Sequence, residues 1–222
     1  GVGGAANFNL SLGRKEKDEA ERFAGAAVGM AVLAGIILCV IVRIFLEPLI
    51  RAFGATDQIL TYSLTYTGIT SFGFPFLILT TAGSNLIRAD GSPKFSMMCT
   101  LIGAIINTVL DPLFIFGFDM GMAGAAWATV LGQVVSACLV IWYLLRFKTV
   151  KIRLRNMIPS RKYYMAIFSL GISPFCNQLA MMVVQIVMNN TLTYYGASSS
   201  YGSEIPLACA GIIAKVNMIF FS

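Results

Sequence analysis

Residues 23–46 contain a single charged side chain, Arg43. At 1.5 Å per residue such a run extends for about 36 Å, enough to cross a hydrocarbon core about 30 Å thick. The same pattern recurs at 59–87, 95–117, 122–145 and 163–195, and a further apolar run begins at Ile205. Inside lipid the backbone has to satisfy its own hydrogen bonds, and spans of this length separated by short polar turns do so as helices. The expected fold is an all-α integral membrane protein, a polytopic helical bundle. Only 12% of the 222 residues are charged and 57% are hydrophobic, against about 25% charged in soluble domains.

Histidine is absent. That removes Ser-His-Asp and Cys-His catalysis, His-ligated zinc and histidine proton relays, and no enzyme is expected. The five cysteines, Cys39, Cys99, Cys138, Cys176 and Cys209, sit singly in separate apolar segments and read as small buried thiols. No cofactor is implied. The chain lacks an initiator Met and stops in the apolar run before Ser222, so it is expected to be an internal piece of a larger carrier.

One span carries a carboxylate. Asp111 lies in LIGAIINTVLDPLFIF, where an ionised Asp costs about 3 kcal/mol on insertion scales and is tolerated mainly beside a polar cavity or a partner. Asn107 is one helical turn earlier on the same face. Pro112 follows at once and has no N–H to offer the Thr108 carbonyl, which predicts a local bend. The link to the next span is only Phe118-Asp119-Met120-Gly121, making the two spans antiparallel neighbours. Counted from that link, Asp111 and Thr129 lie about 12 and about 15 Å deep, at nearly one level. Asp111, Asn107 and Thr129 are therefore the predicted cation site, with Thr129 either facing Asp111 or back-bonding to its own helix. Oxygen ligands of this kind suit a hard cation or a proton; no metal beyond a possible Na⁺ at Asp111 is expected.

Helix breakers and small residues give the remaining organisation. Gly68, Gly73 and Pro75 interrupt the second span, Gly25 and Gly29 form a GxxxG face, and Gly124, Ala128 and Gly132 a small-residue packing face. Arg43 is read as snorkelling to the interface. The basic segments 14–22, 88–94 and 146–162 alternate with links that hold few cations, so they are assigned to the cytoplasmic side. Nucleic-acid binding is a poor reading of a basic loop between membrane spans.

The runs LGRKEKDEAER, RADGSPKFSM and LIGAIINTVLDPLFIFGFDMGMAGAAWATVLGQ resemble the multidrug and toxic compound extrusion (MATE) family of secondary transporters, with residues 88–133 the most specific part. The resemblance implies a twelve-helix carrier of two six-helix lobes. Residues 1–145 then correspond to most of the N-terminal lobe, from the end of helix 2 to helix 6, 146–162 to a basic cytoplasmic lobe linker, and 163–222 to the start of the C-terminal lobe. It implies a secondary active antiporter in the cell membrane, bacterial inner membrane included. Such a carrier exports drugs or organic cations in exchange for Na⁺ or H⁺, with the lipid bilayer and the missing helices of the same carrier as its surroundings. The family's first-lobe cation site falls on Asn107, Asp111 and Thr129, and its other carboxylate comes from a helix this chain lacks. A Glu used by some members in helix 7 has no counterpart here. Phe74, Met181, Gln185 and Lys215 are expected to line a substrate cavity, with Phe72, Phe76 and Met182 as further candidates.

Three other readings compete. A lipid-linked oligosaccharide flippase of the same superfamily would want several cavity cations, and only Lys215 and Arg43 are evident. An intramembrane enzyme would need paired acids, HExxH or a Ser/Lys dyad. A non-transporting scaffold would leave the Asn107/Asp111/Thr129 cluster without a use.

Overall fold

The structure, a computed structural model, describes residues 1–52, 57–147, 149, 161–197 and 209–213. Among them every regular element is helical. In chain order these are α1 (Val2–Gly13), α2 (Lys17–Ile44), α3 (Leu46–Ala52), α4 (Asp57–Thr70), α5 (Phe74–Ala89), α6 (Pro93–Pro112), α7 (Gly121–Leu145) and α8 (Arg161–Ala197). Among the described residues, four helical stretches are long and apolar enough to cross a membrane: Lys17–Ile44, Pro93–Gly117, Gly121–Leu145 and Arg161–Leu192.

The expected second span is not one helix. It is α4 and α5 joined through a 3₁₀ turn at Ser71–Gly73, where the Ser71 hydroxyl donates to the Gly68 carbonyl at 2.7 Å. Pro75 sits in the first turn of α5, where its missing N–H costs no intrahelical bond. Pro112 is the last residue of α6, and the chain then widens into a π turn over Leu113–Gly117. The predicted bend is thus realised as a change of helical pitch.

The turn between α5 and α6 follows from RADGSPK. Asp90 is the C-cap of α5 and Gly91 takes φ +78°, the left-handed conformation that closes a helix end. The Ser92 N–H donates to the Ile87 carbonyl at 3.1 Å and the Gly91 N–H to the Arg88 carbonyl at 3.1 Å, the paired bonds of a Schellman motif. Pro93 then opens α6 with its φ already helical.

By contact density the chain forms two compact units, Gly1–Gly171 and Ile172–Ser222. In the first, the core gathers around Phe8, Leu86, Ile87, Cys99, Val140, Tyr143, Phe147, Tyr163 and Ile167, at the end of the bundle that carries the basic segments. The opposite end of α2 is left open, with Leu33, Ile36, Ile37, Leu38, Val40 and Ile41 all exposed. Arg43 there does not simply extend outward: its guanidinium stacks 3.9 Å from the centroid of the Phe72 ring, a cation–π contact. The second unit contains α8 beyond Gly171, with Phe175, Met181 and Val183 exposed along it. Most of the 146–162 connector expected from the sequence lies outside the described residues, and the first unit continues through the opening of α8 to Gly171.

Candidate cation site

The site is built where α6 crosses α7. Gly103 and Gly132 bring the backbones together: a Cβ on Gly132 would come within 2.7 Å of the Gly103 carbonyl and 3.1 Å of the Asn107 Cβ. A Cβ on Gly103 would collide with the Ser136 hydroxyl. Gly124 does the same against Phe114, nearer the link. Gly124, Ala128 and Gly132 are all buried, as their four-residue spacing predicts. The Ser136 hydroxyl donates to the Cys99 carbonyl at 3.0 Å, tying the two helices once more.

With that spacing set, Asn107 faces Thr129. The Asn107 amide nitrogen lies 3.3 Å from Asp111 Oδ1 and 3.4 Å from Thr129 Oγ1, bridging the two helices. The Thr129 hydroxyl donates to the Ala125 carbonyl at 2.9 Å, so Thr129 back-bonds to its own helix and still turns its oxygen lone pairs to Asn107. Back-bonding is the reading of Thr129 that the structure realises, and its cross-helix contact is to Asn107. All three residues are half-buried. Rotating the amide of Asn107 by 180° would put its oxygen into the same space, giving a carboxylate, an amide oxygen and a hydroxyl around one point. That set fits a proton or a hard monovalent ion.

Asn107 and Thr129 also line a cavity of about 410 Å³ between α5, α6 and α7. Three oxygens around it are buried without a hydrogen-bond partner: Thr80 Oγ1, Ser84 Oγ and Gln133 Oε1. In a cavity of this size those unpaired oxygens offer partners to water or an ion. Arg88 stands at its far end and donates from Nε to Ser96 Oγ at 3.3 Å.

Gln133 lies one turn beyond Thr129 on the same face of α7. Leu77, Thr80, Thr81, Ser84, Asn85 and Arg88 follow helical spacing along one face of α5, a stripe that could have been read from the 3.6-residue period.

The proposed substrate-lining residues are dispersed. Phe74 is half-buried in the first turn of α5. Met181 and Gln185 lie one turn apart on α8 in the second unit, both exposed and bordering a surface groove with Met182. Lys215 lies outside the described residues.

The sequence pattern of the MatE family matches residues 10–113. Multidrug export protein MepA of Staphylococcus aureus (strain N315) is 28% identical over 235 residues, covering 100% of this chain and 52% of that protein. MepA of Staphylococcus saprophyticus is 27% identical over the same length. Among solved structures, MATE in the bent conformation superposes with a TM-score of 0.85 at 24% identity, covering 98% of this chain and 48% of that one. The chain is thus similar to the MatE family in sequence over residues 10–113 and in fold over nearly its whole length. An inward-facing multidrug resistance MATE transporter of the MOP superfamily gives a TM-score of 0.81, covering 94% of this chain and 48% of the other. The chain thus spans about half the length of the MATE relatives it matches. Its described residues include four helices long and apolar enough to cross a membrane, in keeping with a multi-pass protein of the cell membrane.

Proposed function

We propose that this chain supplies the coupling-ion site of a secondary active antiporter that exports drugs or organic cations in exchange for Na⁺ or H⁺. The observation that carries the proposal is the Asn107 amide bridging Asp111 and Thr129 beside a cavity lined by unpaired oxygens. The names of the MepA relatives support the export of multiple drugs.

A proton or a Na⁺ at Asp111 neutralises the carboxylate. Asn107 then no longer faces a full negative charge on its own helix, and the preference between alternative arrangements of the carrier shifts by the difference in ion affinity between them. The π turn immediately after Pro112 gives α6 a place to change pitch next to the ion. Phe74, Met181, Gln185 and Lys215 are the proposed substrate contacts, with the bilayer and the rest of the carrier around them.

The test is ethidium efflux from proteoliposomes containing the full-length carrier, driven by an imposed Na⁺ or pH gradient. Asp111→Asn is expected to abolish gradient-driven efflux, and wild-type efflux by that variant would refute the site. A flippase would need several cations in its cavity; among the described residues lining this one, Arg88 is the single cation. Ethidium efflux that follows the ion gradient separates the two.

A further inference from the structure

At the end of the first unit away from Asp111 lies a buried carboxylate, Asp90, which is 8% exposed. It belongs to none of the residues assigned to ion or substrate. Its Oδ2 accepts the Tyr143 hydroxyl at 2.8 Å, and its Oδ1 accepts the Thr149 backbone N–H at 3.2 Å and the Thr149 hydroxyl. A carboxylate out of solvent is held by such donors, and losing one leaves a costly unpaired oxygen. The Schellman turn at Gly91 fixes the direction in which Asp90 points. Tyr143 is fixed by aromatic packing, with its ring centroid 4.8 Å from Phe95 and 6.0 Å from Phe147, and Phe147 in turn lies 5.5 Å from Phe8.

Thr149 is where the chain leaves α7 for the connector. Beyond the connector, the opening of α8 is held on the same unit. Tyr163 packs edge-on to Phe23 at 4.9 Å, Arg22 donates to the Tyr163 hydroxyl at 3.4 Å, and the Asn7 amide donates to the Ala166 carbonyl at 3.1 Å. An exposed ion pair, Lys162 to Glu19 at 3.2 Å, adds to these contacts. Both flanks of the connector are therefore anchored on α1, α2, α7 and the α5–α6 turn. Of these anchors, the buried one on the entry side is centred on a single carboxylate.

We propose that Asp90 is a positioning residue for transport: with Tyr143 it latches Thr149, beyond the end of α7, to the α5–α6 turn, so that α5, α6 and α7 move as one body during the transport cycle. This rests on the transporter reading above, while using none of its ion-site residues. A lost latch is expected to slow the conformational cycle and leave substrate affinity alone.

The test uses the full-length carrier and the variants Asp90→Asn, Tyr143→Phe and their combination, with Asp111→Asn in parallel. Maximal gradient-driven ethidium efflux, ethidium binding in detergent and the thermal melting midpoint are measured for each. Asp90→Asn and Tyr143→Phe are each expected to lower maximal efflux about 3- to 10-fold, the double variant no further than the worse single one, because both act through one latch. Ethidium affinity is expected within about twofold of wild type. Tyr143→Phe removes only a hydroxyl, so it remains informative if Asp90→Asn folds poorly. Wild-type efflux in Tyr143→Phe overturns the proposal, as does a loss that follows the melting midpoint or multiplies in the double variant. If Asp111→Asn transports normally while the latch variants fail, the ion site is wrong and the latch stands; the opposite pattern leaves the ion site and removes the latch.

Discussion

Asn107 touches both of its partners, which makes it the residue whose loss reaches furthest. Asn107→Ala is expected to leave Asp111 and Thr129 without their bridge and to raise the half-saturating ion concentration about 10-fold, equivalent to about 1.4 kcal/mol. The measurement is the ion dependence of efflux at fixed substrate. Thr129→Val keeps the shape but removes the hydroxyl oxygen, and a smaller rise of about 3- to 5-fold is expected in the same assay. Both residues were visible in the sequence because one-turn spacing and matched depth on antiparallel helices are local arithmetic. The amide's choice of partners was not, since it depends on a crossing set by glycines on two helices.

The crossing of α6 and α7 makes its own prediction. Gly132→Val is expected to force the helices apart, destabilising the fold by about 1–3 kcal/mol and separating Asn107 from Thr129. A lowered melting midpoint together with weakened ion coupling checks it, and Ala128→Gly, which adds no bulk, serves as a control for the coupling readout. Gly91→Ala tests the α5–α6 turn separately. Its φ of +78° imposes strain of about 1–2 kcal/mol on any residue with a Cβ, seen as lower thermal stability. The breakers Gly73, Pro75 and Pro112 announced irregular helices from sequence, since missing donors and missing side chains act within one turn. Whether each irregularity became a 3₁₀ turn, a π turn or a kink depended on the neighbouring helix.

For the whole molecule, the asymmetry of basic residues predicts sidedness. In a cysteine-free background of the full-length carrier, a cysteine placed at Asp119 is expected to react with an impermeant maleimide from outside the cell. Cysteines at Glu16 and Lys94 should react only after the membrane is opened. The reverse pattern would invert the assignment and put Asp111 in the inward half. The packed core coincides with the end bearing the basic segments, and that coincidence explains why Asp90 can be buried there: the Tyr143 hydroxyl and the Thr149 backbone N–H and hydroxyl all donate to it. Nothing in RADGSPK alone distinguishes Asp90 from a solvated turn residue.

The sequence alone determined the membrane-spanning class, the approximate positions of the long apolar helices, the likeness to MATE carriers, and the grouping of Asn107, Asp111 and Thr129. All of these follow from hydropathy, local backbone rules and helical periodicity, which act over a few residues. Only the tertiary structure decided which oxygens face the cavity beside that trio, which hydroxyl an amide bridges, and where Asp90 finds its donors. Those contacts join residues tens of positions apart, and their formation depends on how closely helix backbones approach.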